Sequence, residues 1–320
     1  MRRKKQPGIF AALDKLLEDA TAGDPITGLK WTRKTLAVLT GELQKKFRVG
    51  HSSVARLLKV KGIALRGNRK RLSPRQDVQR DRQFRYIARL RRQFAKAKLP
   101  IISVDTKKKE LIGTFKNAGR TWRRTALDVF ETDFPHDAKG KAIPYGIYDL
   151  EHNEGYVVVG TSHETPAFAV AAIRRWWLEV GQPHDPGKQE VLILADGGGA
   201  NGSHCWLWKG HLQQLANEFA LTITVAHYPT GASKWNPIEH RLFCHISSNW
   251  AGQPLFSFET VLKFLRTPST ATGLRCRAQL DRTKYETGLK ITREQKQQIN
   301  LQPHRTRPQY NYTIRPHRCK

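Results

Sequence analysis

Apolar positions in the first sixty residues recur at helical spacing. Phe10 to Asp19 reads as a short amphipathic helix that Asp24-Pro25 brings to an end. A second helix is predicted from about Thr32, as N-cap, through Leu36, Leu39 and Leu43 to Phe47. Gly50 then makes a turn, and Ser52 opens a third helix carrying Val54, Leu57 and Leu58. Helix, short turn, helix is the helix-turn-helix layout, so residues 1–71 are expected to form an all-α region. Residues 72–98 read as a charged helical linker, with Phe84, Ile87, Leu90 and Phe94 along one stripe.

At Ile101 the period changes. Ile101 to Val104 is a short apolar strand, and strand-like runs follow at Tyr145 to Tyr148 and Tyr156 to Gly160. A helix over Phe168 to Val180, a buried strand over Val191 to Ala195, a helix over Leu207 to Phe219 and a strand over Leu221 to Ala226 come next, and a last helix starts near Pro237. The order β-β-β-α-β-α-β-α predicts an α/β domain over residues 99–265. In it a mixed five-stranded sheet is flanked by helices, in the order of an RNase H-like fold. Residues 266–320 are left as a C-terminal extension.

Composition adds a partner to this picture. The chain has 320 residues, a formal charge of +29 and a pI near 10.4, an excess that points to a polyanion and above all to nucleic acid. Residues 1–100 hold 27 Lys or Arg against 7 Asp or Glu, so most of the excess lies in the helical first third. His51, Ser52, Ser53 and Arg56 would sit near the exposed start of the second helix of the pair, in reach of base edges in a major groove. Arg66, Arg69, Lys70 and Arg71 would grip phosphates. A small helical bundle with a solvated basic face is the alternative. The four cysteines are scattered without zinc spacing, which suits reduced thiols. The chain lacks an apolar run long enough to cross a membrane, and Arg2 to Lys5 directly follow Met1, so a soluble intracellular protein is expected.

The candidate chemistry lies in three acids. Asp105 follows Ile101-Ile102-Ser103-Val104, and Asp196 follows Leu192-Ile193-Leu194-Ala195, so each ends a buried strand. Two acids at neighbouring strand ends repel unless a cation intervenes, and Mg2+ suits them. Taken singly, each could be an ordinary turn residue, Asp196 ahead of Gly197, Gly198 and Gly199. Glu239 heads a helical stripe through Phe243, Ile246 and Trp250 that should face the sheet, making it a third ligand. It also stands at capping-box spacing from Asn236, a purely structural alternative. Lys107, Lys108 and Lys109 would neutralise a phosphodiester beside Asp105. His163, His227 and His240 are given no catalytic role.

Four strings in this order resemble the ISAzo-thirteen family of bacterial insertion-sequence transposases over nearly the whole chain. They are Val104-Asp105-Thr106-Lys107-Lys108-Lys109-Glu110, Gly140-Lys141-Ala142-Ile143-Pro144-Tyr145-Gly146, Ala195-Asp196-Gly197-Gly198-Gly199 with Asn201-Gly202, and Ser233 through Phe243. The resemblance implies an RNase H-like catalytic domain in which Asp105, Asp196 and Glu239 form a DDE triad. It also implies strand cleavage and joining with two divalent ions, Mg2+ or Mn2+, on double-stranded DNA at terminal repeats and target sites. A homo-oligomer on DNA in a bacterial cytoplasm, associated with the nucleoid, is expected with it. The string Ser162-His163-Glu164-Thr165-Pro166 departs from a family pattern closer to D-H-D-T-A. Family members commonly carry a further DNA-binding segment, and this chain is expected to start late beside them. A nuclease of the same fold and an inactive or repurposed sequence-specific DNA-binding protein are the alternatives.

Overall fold

A computed structural model of the chain describes residues 6–18, 21–23, 30–32, 34–65 and 79–317. The chain divides into two units, one up to Leu72 and one from Ser73.

The first unit contains α1 (Ile9–Glu18), β1 (Thr21–Gly23), β2 (Lys30–Thr32), α2 (Leu36–Gln44) and α3 (His51–Val60). Ile9, Leu13 and Leu17 of α1 bury against Leu39 and Leu43 of α2 and Val54 of α3. Two expectations are corrected here. The region is not all-α, because β1 and β2 pair antiparallel from Thr21↔Thr32 to Gly23↔Lys30. Thr32 is therefore strand rather than cap, and the N-cap of α2 is Thr35, whose hydroxyl accepts the Val38 N–H at 3.2 Å. His51, Ser52 and Arg56 are exposed at the start of α3, with Ser53 half-buried. Arg66, Arg69, Lys70 and Arg71 lie outside the described residues.

The second unit opens with α4 (Arg80–Lys96), then β3 (Ile101–Thr106), β4 (Glu110–Ile112), β5 (Gly140–Asp149) and β6 (Glu154–Gly160). Next come α5 (Pro166–Trp176), a π-helical turn (Trp177–Gly181) and the short α6 (Gln182–His184), before β7 (Glu190–Ala195), α7 (Trp206–Glu218) and β8 (Thr222–His227). A second π-helical turn (Glu239–Phe243) runs into α8 (Cys244–Asn249), followed by α9 (Phe258–Arg266), β9 (Arg275–Asp281), α10 (Arg293–Gln297), β10 (Leu301–Pro303) and β11 (Asn311–Ile314).

The strands form one mixed sheet in the order β10-β11-β8-β7-β3-β5-β6-β9, with β4 paired to β5. Its centre is the expected RNase H-like arrangement: β5 antiparallel to both β3 and β6, and β7 and β8 parallel to β3. Among the described residues the sheet has nine strands rather than five. Three of the extra ones, β9, β10 and β11, come from the segment read as a C-terminal extension, which thus widens the sheet at both edges. The apolar stripe of α4 packs on this sheet. Ile87, Leu90 and Phe94 of α4 bury against Leu192, Leu194, Ala226 and Tyr228.

Alternation along the strands assigns the two faces. Val191, Ile193 and Ala195 of β7 join Tyr145 and Ile147 of β5 under α5 and α7. Leu192 and Leu194 point to the opposite face and α4, where Tyr148, Val157 and Val159 also meet Leu242, Phe243 and Ile246. There the helix after Pro237 touches the sheet at Gly146, where a Cβ would stand 2.5 Å from the Phe243 ring and 2.9 Å from Ile238 Cδ1. Gly146→Ala is therefore expected to lower stability by about 1–3 kcal/mol through overpacking. Chemical denaturation checks this, and an unchanged midpoint would mean that the helix yields freely.

Candidate active site

Register alone places two acids side by side. The parallel pairing of β3 with β7 ends at Val104↔Ala195, so Asp105 and Asp196 come next on strands about 4.8 Å apart. Asp105 Oδ1 accepts the Thr106 N–H at 2.7 Å and Asp196 Oδ1 the Gly198 N–H at 3.2 Å. Both line a cleft of about 350 Å³ with Thr106, the three lysines, Glu164, Gly198 and Gly199.

The helix bearing Glu239 is fastened to the same strand. Ser103 Oγ, fully buried in β3, donates to Asn236 Oδ1 at 2.5 Å and accepts the Ile238 N–H at 3.0 Å. Asn236 Nδ2 donates to the Val104 carbonyl at 3.1 Å. The Asn236 N–H is taken by the Ser233 carbonyl at 2.8 Å, so Glu239 does not close a capping box with it. Its carboxylate stands at the head of the buried stripe Phe243, Ile246 and Trp250, on the first residue of the π-helical turn. Such turns re-aim side chains and recur at functional sites.

The electrostatics show that the acids share one environment. Burial, then the charge of Asp196, holds the Asp105 pKa well above the usual carboxylate range, with Glu239 and Glu164 adding to the rise. Asp196 is raised by burial and by Glu164, against the Gly198 N–H. Glu239 is raised by burial and by Asp196, against the positive charges of Lys107 and His240.

The lysine run does not act as one patch. Lys107, expected at the phosphates with its neighbours, is buried: its ammonium lies 4.6 Å from the Trp250 ring centre and 3.8 Å from Glu110. Burial lowers its pKa, opposed by Glu110 and Glu239. Lys108 is exposed, and Lys109 pairs with Glu164 at 2.8 Å.

Glu164 is the residue that sequence reasoning left out of the site. It precedes α5, whose cap Thr165 accepts the Phe168 N–H at 3.2 Å, and the sequence marked its string only as a departure from the family pattern. His227 is a buried structural histidine: its Nδ1 lies 2.9 Å from the Tyr310 carbonyl and its Nε2 2.9 Å from the Asn201 carbonyl, of which a neutral ring donates to one, and burial pulls its pKa down to about 4. His163 is exposed, and His240 Nε2 lies against the Lys234 carbonyl.

The donor set suits hard divalent cations. It is all oxygen, crowded and short of countercharge, and the Thr106 and Tyr145 hydroxyls buried near it have no hydrogen-bond partner among the described residues. Burial, then the charges of Asp105, Asp196 and Glu164, raises the Tyr145 pKa. No three of these acids offer oxygens that all lie within 4.8 Å of one another. One cation held by three such groups would need a tighter cluster. Two-ion sites, with cations about 3.5–4 Å apart, spread their ligands more widely.

No helix among the described residues is long and apolar enough to cross a membrane. Comparison with curated proteins gives no match. Solved structures of the Mos1 transposase are similar in part. A paired-end complex with the left transposon end is 17% identical with a TM-score of 0.44, and a pre-cleavage transpososome is 16% identical with a TM-score of 0.46. Each match covers 83% of this chain and 72% of the other. The family described as the Rhodopirellula transposase DDE domain matches residues 12–316, and by that match over nearly its whole length the chain belongs to this family of DDE transposases.

Proposed function

We propose that this transposase cuts DNA at the ends of its own insertion sequence and joins the freed 3′ ends to target DNA, with Asp105, Asp196 and Glu239 as the acids that hold the metal ions. The observation that carries the proposal is the convergence on β3, where register sets Asp196 beside Asp105 and the buried Ser103–Asn236 clamp brings in the helix of Glu239. Two divalent cations, Mg2+ or Mn2+, supply activation of water or a 3′-hydroxyl and stabilisation of the leaving oxygen when bound.

The chain's own residues do the rest. Asp105, which feels the charges of both Asp196 and Glu239, would hold the ions together with those two acids. Lys107, packed on Trp250, holds the Glu239 carboxylate in place rather than gripping DNA. Lys108 and Lys109 meet the phosphodiester at the cleft mouth. Glu164 acts as a fourth acid, tied to Lys109 until a phosphate draws that lysine away. His51, Ser52, Ser53 and Arg56 read base edges, and Arg66, Arg69, Lys70 and Arg71 grip the backbone of the terminal repeats. Joining two ends calls for at least two copies of the chain on DNA.

Replacing Asp105 or Asp196 with Asn, or Glu239 with Gln, is expected to reduce cleavage and joining of labelled element ends by at least about 10³-fold. Binding of those ends should stay within a few fold. Undiminished cutting would remove that residue from the triad, and cutting without joining in the unaltered protein would make the chain a nuclease.

Glu164→Gln is expected to weaken Mn2+ binding by about 10-fold while leaving cleavage at saturating metal largely intact. Calorimetric titration decides this, and an unchanged affinity would exclude Glu164 from the cation's surroundings.

Stability should report the same charges. Because the folded pKa of Asp105 lies above its unfolded value, its favourable contribution is fully present below about pH 3.9 and is lost as pH rises through the raised value. In chelator at neutral pH, Asp105→Asn should therefore raise Tm by about 2–8 °C, a gain that vanishes in acid, whereas Mg2+ should stabilise the unaltered chain more than the variant. A lower Tm for the variant at neutral pH would contradict the account.

A further inference from the structure

A second group of metal-ligating side chains lies away from the acid cleft. Asp149, the last residue of β5, His152 in the turn to β6, and His184, the last residue of α6, each offer a ligand atom, and these atoms all lie within 4.8 Å of one another. This is the one such trio among the described residues. Asp149 is opposite Ile102 in the β3–β5 register, whereas Asp105 is opposite Gly146. Three residue steps, about 10 Å along the strand, therefore separate the two groups.

The arrangement is specific in detail. Asp149 is fully buried, and its Oδ1 is held by the N–H groups of Glu151 at 3.0 Å and His152 at 3.1 Å, which leaves Oδ2 to face His152 Nδ1 at 3.0 Å. The rings of His152 and His184 lie 4.5 Å apart, centre to centre, and are inclined at 45°. Asp185, next in sequence to His184, interacts electrostatically with Asp149, His152 and His184, and its buried Oδ2 has no hydrogen-bond partner among the described residues. Burial holds its pKa above the usual carboxylate range. Glu154 lies 3.8 Å from His184 Nε2, but its other oxygen is bound by Arg277 at 2.7 Å.

Two carboxylates, Asp149 and Asp185, thus stand against two imidazole rings in contact. A divalent cation balances both carboxylates with both rings neutral, which is the form in which imidazole ligates metal. We propose that Asp149, His152 and His184 form a structural zinc site, with Asp185 as the fourth ligand or its near neighbour. Imidazole nitrogen beside carboxylate oxygen selects zinc and similar first-row ions, whereas Mg2+ calls for the all-oxygen surroundings of the acid cleft. Bound there, zinc would pin the β5–β6 turn to the end of the α5–α6 segment. It would thereby fix the far end of the strand whose Gly146 carries the Glu239 helix.

The test uses the untagged full chain, stripped with chelator and then given Zn2+ in the presence of excess Mg2+. The expected result is one zinc per chain by metal analysis and a raised Tm. His184→Ala, a change at an exposed side chain, should weaken zinc binding on the order of 100-fold or more, since loss of a direct ligand costs at least as much as loss of an outer partner. Asp105→Asn combined with Asp196→Asn should leave zinc binding as it was. Co2+ put in place of zinc should show the visible absorption of imidazole ligation in the unaltered chain, so a misfolded variant would still leave the site open to test. Absence of zinc uptake, uptake indifferent to His184→Ala, or uptake abolished by the Asp105 and Asp196 changes would each overturn the proposal.

Discussion

The buried hydrogen bonds between Ser103, Asn236 and the Ile238 amide join two segments more than 130 residues apart in the chain. Both side chains are completely inaccessible to water, so leaving either without its partner would cost about 1–3 kcal/mol. Asn236 also bonds the Val104 carbonyl, one residue before Asp105, which ties the helix of Glu239 to the strand of Asp105. Apolar packing of Phe243, Ile246 and Trp250 supplies the attraction between helix and sheet, but packing is non-directional. The polar clamp selects where along the strand the helix sits, and Gly146 provides the space that lets it come so close.

What the clamp assembles is an unfavourable collection of charges. Asp105, Asp196 and Glu164 line a partly buried cleft, Glu239 adds its charge to theirs, and Asp105, Asp196 and Glu239 are each held above the ordinary pKa by burial and by neighbouring acids. The chain answers with two cations, one buried and one exposed. Lys107 is wedged against Trp250 near Glu239, and Lys109 pairs with Glu164. Neither removes the repulsion between Asp105 and Asp196. That residual strain is the physical reason for reading the cleft as a place for divalent cations, since a merely structural strand end has no cause to gather like charges.

Much of this was legible in the sequence, for identifiable reasons. Asp196 follows four apolar residues and Asp105 a run of Ile101, Ile102 and Val104 broken only by Ser103, and buried parallel strands are written as near-continuous apolar runs. The Glu239 stripe was visible at helical spacing, although Ser103 and Asn236, which decide its position, carry no periodic signal. The outer strands escaped because they are short or only half covered: β9 reads Arg-Cys-Arg-Ala-Gln-Leu-Asp, and β10 has three residues. The burial of Lys107 was not legible because a run of three lysines gives no hint that a Trp ring 143 positions later will cover the first of them. Glu164 and the His152–His184 group depend on turns meeting across the sheet, and spacing in sequence cannot express that.

The most direct measurement is anomalous diffraction from crystals of the chain bound to an element end in Mn2+. The account predicts manganese peaks at the acid cleft, with Asp105, Asp196 and Glu239 all among the coordinating residues. Manganese bound elsewhere, or a Glu239 carboxylate turned away from the ions while Asp105 and Asp196 hold them, would contradict it.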